Sequence, residues 1–481
     1  RRRHSFPTRR SSDLSGSGYS LRGARIVRFR TDLGPDQVAS LSAIEARCRA
    51  STGSAGGDRV SEHEKVTELR KLMPSTEASI YLNAGSNGPV PAEVDAAMRA
   101  VHDQELQTGR ATEHAMDDVE ERANELRGVF AGVLATDLEL VAIGHSTTES
   151  ILRPILGMEW RAGDRIITFD EEYPAIRGSL AALAARTGVV IHTLSLCNAA
   201  SQPLSDDEIV ASVLPLLAAP TKLLLLSRVS WISGRTLPVA PLLAAARAAG
   251  VTTVLDGAQG VGALREDIDA LNPDLLAFPS QKWLLGVEGL AGIRVSREAL
   301  AADTFRPIIG GYMAFDGQPL NGVGTLRSDA RRFQVSGFSR PALAGAARAA
   351  GWYSMQVGLP WATDRAQRLA AEFHAAVRDV PGVQMLTPVG GHATIVSLRV
   401  EGWKPEQLVE ELTRRAFAIT RRVPSLPPLD GRPGSAAALR TSWGFWNTEA
   451  EVARIAELIT LFAAHTPETL PKRPTLEILH G

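Results

Sequence analysis

The sequence predicts an α/β protein in which a mostly parallel central sheet is covered by helices and followed by a smaller α/β C-terminal domain. Short, continuously apolar runs alternate with longer amphipathic runs from about residue 90 to residue 300. Strands buried on both faces need apolar side chains at successive positions, and parallel strands need a crossing helix between them. Beyond about residue 340, a long helical stretch leads into two strand-like runs and a last helix, which indicates the second domain.

Each element follows from this pattern. The apolar runs predict strands at 138–143, 164–169, 189–195, 221–227, 251–256 and 274–279. The amphipathic runs between them predict helices at 147–159, 175–187, 206–218 and 239–250. In the second domain the pattern predicts a helix at 340–358, strands at 392–400 and 439–443, and a helix from Glu449 to about His465.

Composition indicates a soluble globular protein. The 481 residues are 44% hydrophobic and 22% charged, the net charge is −1, and no apolar run is long enough to span a bilayer. Residues 1–59 carry 12 Lys and Arg against 5 Asp and Glu, but this leader has no sustained period, and 4–14 resembles a translated sequencing adapter. We therefore predict that 1–59 is non-native or disordered, with a native start at Val60 or Met73. We expect no nucleic acid partner and no membrane partner.

Cysteine and histidine usage argues against two kinds of structural site. The two cysteines, Cys48 and Cys197, give no disulfide framework and no pair with metal-ligand spacing. The ten histidines do not cluster, so we expect no metal site. Because cysteine is scarce and no credible secretion signal is present, the sequence favours a cytoplasmic location.

Lys282 is the first candidate for a functional residue, since it lies between two apolar runs in the segment LLAFPSQKWLLG at 275–286. Lysine is rarely buried without a partner. It is either a strand-end lysine with a packed stem and its amine in water, or an amine that bonds to a carbonyl cofactor. Lys282, Asp256 and 146–148 all fall at the ends of predicted strands, where ligands of parallel sheets bind. That convergence favours the functional interpretation.

Four further features offer the chemistry that such a cofactor needs. Asp256 closes an apolar strand, where it either caps a turn or keeps a pyridine nitrogen protonated. Residues 146–148 open a helix, whose N-terminus is either simply capped or binds a phosphate. Tyr173 follows a strand, and either stacks on a ring or packs as an ordinary half-buried tyrosine. Arg440, in the second domain, either forms a surface ion pair or holds a substrate carboxylate.

The order of these motifs resembles the class V aminotransferase family. In chain order the motifs are Thr-Thr-Glu at 147–149, Glu-Tyr at 172–173, SWISGRTLPV at 230–239, DGAQGVG at 256–262, Ser-x-Lys-Trp at 280–283, FQVSGFSRPALAG at 333–345 and RTSWGFWNTEAEV at 440–452. The segment YLNAGSNGPVP at 81–91 is similar to the branch with cysteine desulfurases, cystine C–S lyases and isopenicillin N epimerases. The resemblance covers roughly residues 78–465.

This resemblance implies the fold type I of pyridoxal 5'-phosphate (PLP) enzymes, with PLP as the cofactor and an amino acid as the substrate. It also implies a homodimer. The implied domains are a large PLP-binding domain at 91–329 and a small C-terminal domain at 330–470. An N-terminal segment at 60–90 would join the small domain, and 471–481 would form a tail.

The resemblance implies a role for each site residue. Lys282 would carry PLP as an aldimine and act as the catalytic base. Asp256 would pair with the pyridinium nitrogen, Gln259 would hydrogen-bond the ring's phenolic oxygen, and Tyr173 would stack on the ring. The other implied contacts are with the cofactor phosphate, from Thr147, Thr148 and Ser280, and with the substrate carboxylate, from Arg440 and Asn83.

Three positions depart from the family's pattern. Gln281 and Arg228 stand where relatives usually carry histidine. The pair at 337–338 is Gly-Phe where relatives have a Gly-Thr that contacts the phosphate across a dimer. Ser336 or Ser339 must therefore substitute, or the contact is absent.

These observations predict a PLP-dependent enzyme that acts on an amino acid. A cysteine desulfurase needs a mobile cysteine downstream of the PLP lysine, and no cysteine follows Cys197. A C–S or β-lyase, or an epimerase-like reaction, is therefore favoured, with an aminotransferase as the alternative. A non-catalytic regulator with a PLP fold is a candidate of a different class. A nicotinamide dehydrogenase is disfavoured because its glycine fingerprint is missing.

Overall fold

Several helices and one short strand precede the central sheet. The computed structural model describes residues 61–317, 322, 324–391, 393–426 and 436–472, without the side chains of 113, 114 and 116. The predicted leader at 1–59 and most of the predicted tail at 471–481 lie outside the described residues. The first elements are α1 (Glu62–Lys71), α2 (Pro74–Ala78), β1 (Ile80–Tyr81), α3 (Ala92–Thr108) and α4 (Glu113–Leu134).

Seven strands form the central sheet of the described chain. Its strands and helices are β2 (Val141–Gly144), α5 (Thr147–Leu156), β3 (Arg165–Phe169), α6 (Pro174–Thr187), β4 (Val190–Leu194), α7 (Asp206–Val213), β5 (Thr221–Ser227), α8 (Val239–Ala248), β6 (Thr252–Asp256), α9 (Ile268–Leu271), β7 (Leu275–Pro279), β8 (Ala291–Val295) and α10 (Arg297–Ala301). The strand order is β2-β8-β7-β6-β5-β3-β4. Strands β3 to β7 pair in parallel, whereas β8 is antiparallel to both of its neighbours. The predicted α/β class with a mostly parallel sheet is confirmed.

The leucine run of β5 shows why the strands are continuously apolar. Leu223 and Leu225 pack in one hydrophobic cluster, while Leu224 and Leu226 pack in another. Successive side chains of a strand point to opposite faces of the sheet, so the two clusters lie on opposite faces. All four side chains are fully buried, because helices cover both faces.

Strand β8 is not predicted by the sequence pattern. Its apolar run is interrupted by Gly292 and by the buried Arg294. A Cβ atom at Gly292 would lie 2.1 Å from the ring of Phe278 in β7, so only glycine fits there. Because β8 is antiparallel to both β7 and β2, these two strands run in the same direction. The carboxyl ends of β2, β3, β5, β6 and β7 therefore share one edge of the sheet.

The remaining elements form a second, smaller group of strands and helices. They are β9 (Phe315–Asp316), β10 (Thr325–Leu326), α11 (Arg340–Gly351), a π-helical segment (Trp352–Gly358), α12 (Leu359–Val377), β11 (Val383–Met385), β12 (Ile395–Val400), α13 (Pro405–Ala416), β13 (Ala418–Ile419), β14 (Arg421–Val423), β15 (Ala438–Ser442) and α14 (Glu449–Ala463). Strands β11, β12, β15 and β14 form an antiparallel sheet in that order. The helix predicted at 340–358 is α-helical only as far as Gly351.

The N-terminal segment packs with this second group. β1 pairs in parallel with β13, and Leu82 is fully buried in the cluster that contains Phe373 and Trp443. The predicted domain boundaries at 91–329 and 330–470 stay a prediction. None of the helices in the described ranges has the length and apolar character that crossing a bilayer requires.

Candidate active site

A cavity of about 180 Å³ lies at the sheet edge where the carboxyl ends of the strands meet. The loops that follow β2, β3, β5, β6 and β7 all contribute to it. The lining residues are Ser146, Thr147, Thr148, Tyr173, Ser227, Val229, Trp231, Asp256, Ala258, Gln259, Pro279, Gln281 and Lys282. The cavity thus brings together six of the residues predicted from sequence: Thr147, Thr148, Tyr173, Asp256, Gln259 and Lys282.

Lys282 presents its amine to this cavity. Nζ lies 6.0 Å from the centre of the Tyr173 ring. Burial lowers the pKa of Lys282 to about 8, with Arg440 and Arg421 acting in the same direction and Asp256 opposing them. At pH 7 the fraction of uncharged amine is then about 300 times that of a lysine with an ordinary pKa. The amine is therefore suited to act as a nucleophile or a base.

Asp256 is the buried carboxylate of the cavity. It ends β6, is 5% exposed, and accepts a hydrogen bond of 2.8 Å at Oδ1 from the backbone N–H of Ala258. Burial raises the pKa of Asp256, and the charge of Lys282 acts against this rise. Asp256 forms no ion pair with any described residue, and such a buried carboxylate can hold a protonated ring nitrogen, which would compensate its charge.

A second buried carboxyl group, that of Glu172, interacts with Asp256. Ser227, the register partner of Asp256 across β5 and β6, donates a hydrogen bond of 2.7 Å to Oε1 of Glu172. Glu172 is 2% exposed, and its Oε2 has no hydrogen-bond partner among the described residues. Burial and then repulsion by Asp256 raise the pKa of Glu172 to about 7. Nothing in the sequence indicates a role for the Glu172 carboxyl group, because an acidic run such as that at 170–172 is typical of a solvated turn.

The amide of Gln259 has a fixed orientation. The indole Nε1 of Trp283 donates a hydrogen bond of 2.9 Å to its Oε1. Its Nε2 donates one of 2.8 Å to the carbonyl oxygen of Gly85. Because an indole N–H can only donate, the oxygen of Gln259 must face Trp283, and a second N–H remains on Nε2. This second N–H can donate a hydrogen bond to the phenolic oxygen of the predicted cofactor.

The N-terminus of α5 forms one wall of the cavity. Ser146 caps the helix by accepting a hydrogen bond of 3.2 Å from the N–H of Glu149. Thr147 and Thr148 occupy the first turn, where backbone N–H groups have no partner within the helix. Such a turn, with two hydroxyl groups, is suited to bind a phosphate.

Ser280 does not line the cavity, although the sequence predicts it as a phosphate contact. Its side chain is fully buried, and no described residue forms a hydrogen bond with its Oγ. A Cβ atom at Gly286 would lie 2.0 Å from this Oγ, so the chain closes over Ser280 there.

Arg440 lies next to the cavity in β15. Its Nη1 donates a hydrogen bond of 3.0 Å to the carbonyl oxygen of Trp231, which lines the cavity. Its Nη2 donates to Oδ1 of Asn83 at 3.2 Å and to Oγ of Ser86 at 2.9 Å. Burial, and then Arg421, lower the pKa of Arg440 to about 9. The structure thus brings Arg440 and Asn83 together, as predicted for a carboxylate site, and adds Ser86.

Gln281 and Arg228, which stand where relatives usually carry histidine, have different surroundings. Gln281 lines the cavity directly before Lys282. Arg228 does not line it. Instead, the Arg228 guanidinium pairs with Glu266 and donates a hydrogen bond of 2.9 Å to the carbonyl oxygen of Leu237. Arg228 therefore stabilises the loop after β5.

The segment at 336–339 lies beside His145, directly before the N-terminus of α5 in the same chain. The ring of Phe338 stacks on His145, with 4.7 Å between the ring centres. Ser339 caps α11 by accepting a hydrogen bond of 3.4 Å from the N–H of Ala342. Oγ of Ser336 accepts one of 3.3 Å from the N–H of Tyr312. Both serine oxygens are thus already hydrogen-bonded within the chain.

Cys197 lies far from Lys282 in the sheet. It follows β4 at one edge, whereas Lys282 follows β7, four strand positions away. Neighbouring strands lie about 4.8 Å apart, so about 19 Å separate the two strand positions. Cys197 does not line the cavity.

An amine, a buried carboxylate and a helix N-terminus in one cavity of a parallel sheet are typical of the PLP-dependent class of enzymes. The chain belongs to the class-V aminotransferase family, whose model matches residues 80–455. This membership confirms the predicted family, the predicted PLP-dependent enzyme and the predicted cofactor.

Related proteins cover most of the chain. Isopenicillin N epimerase of Streptomyces clavuligerus is 26% identical over 403 residues, which are 82% of this chain and 97% of that protein. The epimerase of Amycolatopsis lactamdurans is 29% identical over 408 residues, 81% and 96% of the two chains. A probable cysteine desulfurase of Xylella fastidiosa is 28% identical over 308 residues, 62% of this chain and 70% of that protein.

Solved structures share the fold. The cystine C–S lyase C-DES, in complex with its product cysteine persulfide, superposes with a TM-score of 0.73 at 23% identity, covering 81% of this chain and 99% of that one. The cysteine desulfurase CsdA from Escherichia coli gives a TM-score of 0.68 at 21% identity, covering 82% and 97%. These similarities confirm the predicted type of fold.

The residues of the cavity fit PLP. The N-terminus of α5, with Thr147 and Thr148, can bind the phosphate of PLP. The carboxylate of Asp256 can hold the protonated ring nitrogen. The remaining N–H of Gln259 can donate to the phenolic oxygen. Lys282 supplies the amine that the aldehyde requires.

Proposed function

We propose that this enzyme catalyses a C–S or β-lyase reaction, or an epimerase-like reaction, on an amino acid, with PLP bound to Lys282. The observation that carries the proposal is the convergence of Lys282, Asp256 and the N-terminus of α5 on one cavity, with Arg440 beside it. The similarity to isopenicillin N epimerases over most of the chain supports a reaction at the α-carbon.

Each residue of the site would have a separate role in the reaction. When bound, PLP supplies an electron-withdrawing ring that stabilises negative charge at the substrate's α-carbon. Nζ of Lys282 would take and return the α-proton, which its lowered pKa favours near neutral pH. The carboxylate of Asp256 would hold the proton of the ring nitrogen. Arg440 and Asn83 would orient the substrate through its carboxylate.

We further propose that the reaction uses no persulfide cysteine. A desulfurase needs a thiolate that can reach the substrate sulfur. Cys197 lies four strand positions from Lys282, and the sequence has no cysteine after it. Replacing Cys197 with alanine should therefore leave turnover unchanged.

The experiment is incubation of the PLP-loaded enzyme with a panel of amino acids, with and without a keto-acid acceptor. Pyruvate, together with sulfide from cysteine or cysteine persulfide from cystine, would identify a lyase, and inversion at the α-carbon seen by chiral chromatography would identify an epimerase. Amino transfer that depends on the acceptor would instead establish the aminotransferase. A persulfide on Cys197, with turnover abolished in Cys197→Ala, would contradict the proposal, as would an enzyme that turns over no amino acid.

We also propose that the enzyme is a cytoplasmic homodimer. Ile308, Ile309 and Tyr312 lie close together in the chain and are 49%, 53% and 69% exposed. Exposed apolar side chains in one region are typical of protein interfaces. Light scattering should give twice the mass of one chain, and a monomer with full PLP occupancy would contradict the dimer. The cytoplasmic location is supported by the scarcity of cysteine, and fractionation of cells would test it.

A further inference from the structure

Arg421 is a second arginine beside the carboxylate candidate Arg440. It begins β14 and lies directly opposite Arg440 of β15 in the antiparallel pairing. Its Nη1 donates a hydrogen bond of 2.7 Å to Oγ of Ser86. The same oxygen accepts one of 2.9 Å from Nη2 of Arg440. Two guanidinium groups are thus held on one hydroxyl group.

This arrangement is unfavourable without an anion. Two guanidinium cations held on one oxygen repel each other, and the repulsion is stronger where water is partly excluded. Arg440 is 1% exposed, and its Nε has no hydrogen-bond partner in the part of the chain that the structure describes. Arg421 is exposed and could extend into water, yet it bonds to Ser86. Within the described ranges, neither arginine forms an ion pair with a carboxylate.

Arg440 adjoins the cavity, and Arg421 adjoins Arg440 through the strand pairing and the shared Ser86 oxygen. Arg440 donates to the carbonyl oxygen of Trp231, which lines the cavity with Lys282. Both guanidinium groups lower the pKa of Lys282, so both lie within electrostatic reach of its amine. Lys282 is partly buried, Arg440 is buried, and Arg421 is exposed on the solvent side. The positive charge therefore extends from the reacting amine towards the solvent.

Building on the proposed function, we propose that the substrate is an amino acid with an acidic side chain, whose α-carboxylate binds Arg440 and whose side-chain anion binds Arg421. The two carboxylates of aspartate or glutamate are separated by the α-carbon and one or two methylene groups. The two guanidinium groups, which meet at one oxygen, present a similarly short span. Guanidinium and carboxylate form strong, charge-assisted hydrogen bonds, whereas a neutral side chain would leave Arg421 unpaired.

The test is the binding of matched amino acids, aspartate against asparagine and glutamate against glutamine, which differ in charge but hardly in size. Affinity is measured on the full-length, PLP-loaded enzyme from the change in cofactor absorbance. Arg421→Gln is compared with Arg422→Gln, since Arg422 is the adjacent exposed arginine and pairs with Glu406 at 3.1 Å. Because the Arg421 side chain is exposed, its replacement is not expected to disturb the fold.

The wild type should bind the acids more tightly than the amides. Arg421→Gln should weaken binding of the acids about tenfold and change binding of the amides less than about twofold. Arg422→Gln should change neither. An equal loss for acid and amide in Arg421→Gln would overturn the inference by placing Arg421 on the α-carboxylate, and unchanged affinities would overturn it too. If no amino acid changes the absorbance of a cofactor that is bound to Lys282, the proposed function itself fails, and this inference with it.

Discussion

Replacing Glu172 with glutamine should remove part of the pH dependence of folding. Oε1 of Glu172 accepts hydrogen bonds from Oγ of Ser227 at 2.7 Å and from the N–H of Tyr173 at 2.9 Å, and a glutamine oxygen can keep both. The amide nitrogen would take the place of Oε2, which accepts no hydrogen bond from any described residue. The variant therefore removes the ionisation of this side chain and keeps its contacts.

The magnitude follows from the pKa of Glu172. Its pKa is about 7 in the folded protein, against an ordinary value of 4.5 in the unfolded chain. Because the folded value is the higher one, its contribution to stability is full below pH 4.5 and is lost once the pH has risen through about 7. The shift corresponds to about 3 kcal/mol, of which about 2.5 kcal/mol is lost between pH 5 and pH 8.

The assay is urea denaturation of the cofactor-free protein at a series of pH values from 5 to 8. The free energy of unfolding of Glu172→Gln, relative to the wild type, should rise by about 2.5 kcal/mol over this range. Glu457→Gln is the control, since Glu457 is exposed on α14 and pairs with Arg454. Its profile should run parallel to that of the wild type. A parallel profile for Glu172→Gln would refute the raised pKa inferred for Glu172.

Three further changes test other parts of the molecule. Arg440→Lys should raise KM for the amino acid by about 10- to 100-fold, because the planar guanidinium is lost, and steady-state kinetics with unchanged KM would contradict its role. Asp256→Asn should lower kcat by at least about 100-fold while PLP still binds, because the ring nitrogen loses its anionic partner; a wild-type kcat would contradict this. Leu225→Ala should lower the free energy of unfolding in urea by about 2–5 kcal/mol, because Leu225 is fully buried, and a loss below about 1 kcal/mol would argue against the packing of β5.

The sequence predicts the parallel strands well because their burial leaves a signal at every position. Leu223 to Leu226 alternate between two cores, so the run is apolar throughout. β8 leaves no such signal. Gly292 leaves the space that the ring of Phe278 occupies, and the buried Arg294 forms an ion pair with Asp269. This antiparallel strand, which lies between the edge strand β2 and β7, is therefore visible only in three dimensions.

The site was predictable where a residue ends a strand. Lys282, Asp256 and Thr147 each follow an apolar run, and the topology places their strand ends at one edge. Glu172 and Arg421 were not predictable, because nothing in the acidic run at 170–172 or in the basic pair at 421–422 indicates which charge faces inward. Their importance depends on neighbours far away in the chain, such as Asp256 and Ser86.

The most direct test of the central claim, that Lys282 carries PLP, is chemical reduction followed by peptide mapping. The enzyme is loaded with PLP, treated with borohydride, digested and analysed by mass spectrometry. The prediction is that one peptide, containing Lys282, gains the mass of a reduced pyridoxyl phosphate group and that Lys282→Ala gains none. Lys222, at the start of β5, serves as an internal control because it should stay unmodified. Stable modification of another lysine, or equal modification of wild type and Lys282→Ala, would contradict the claim.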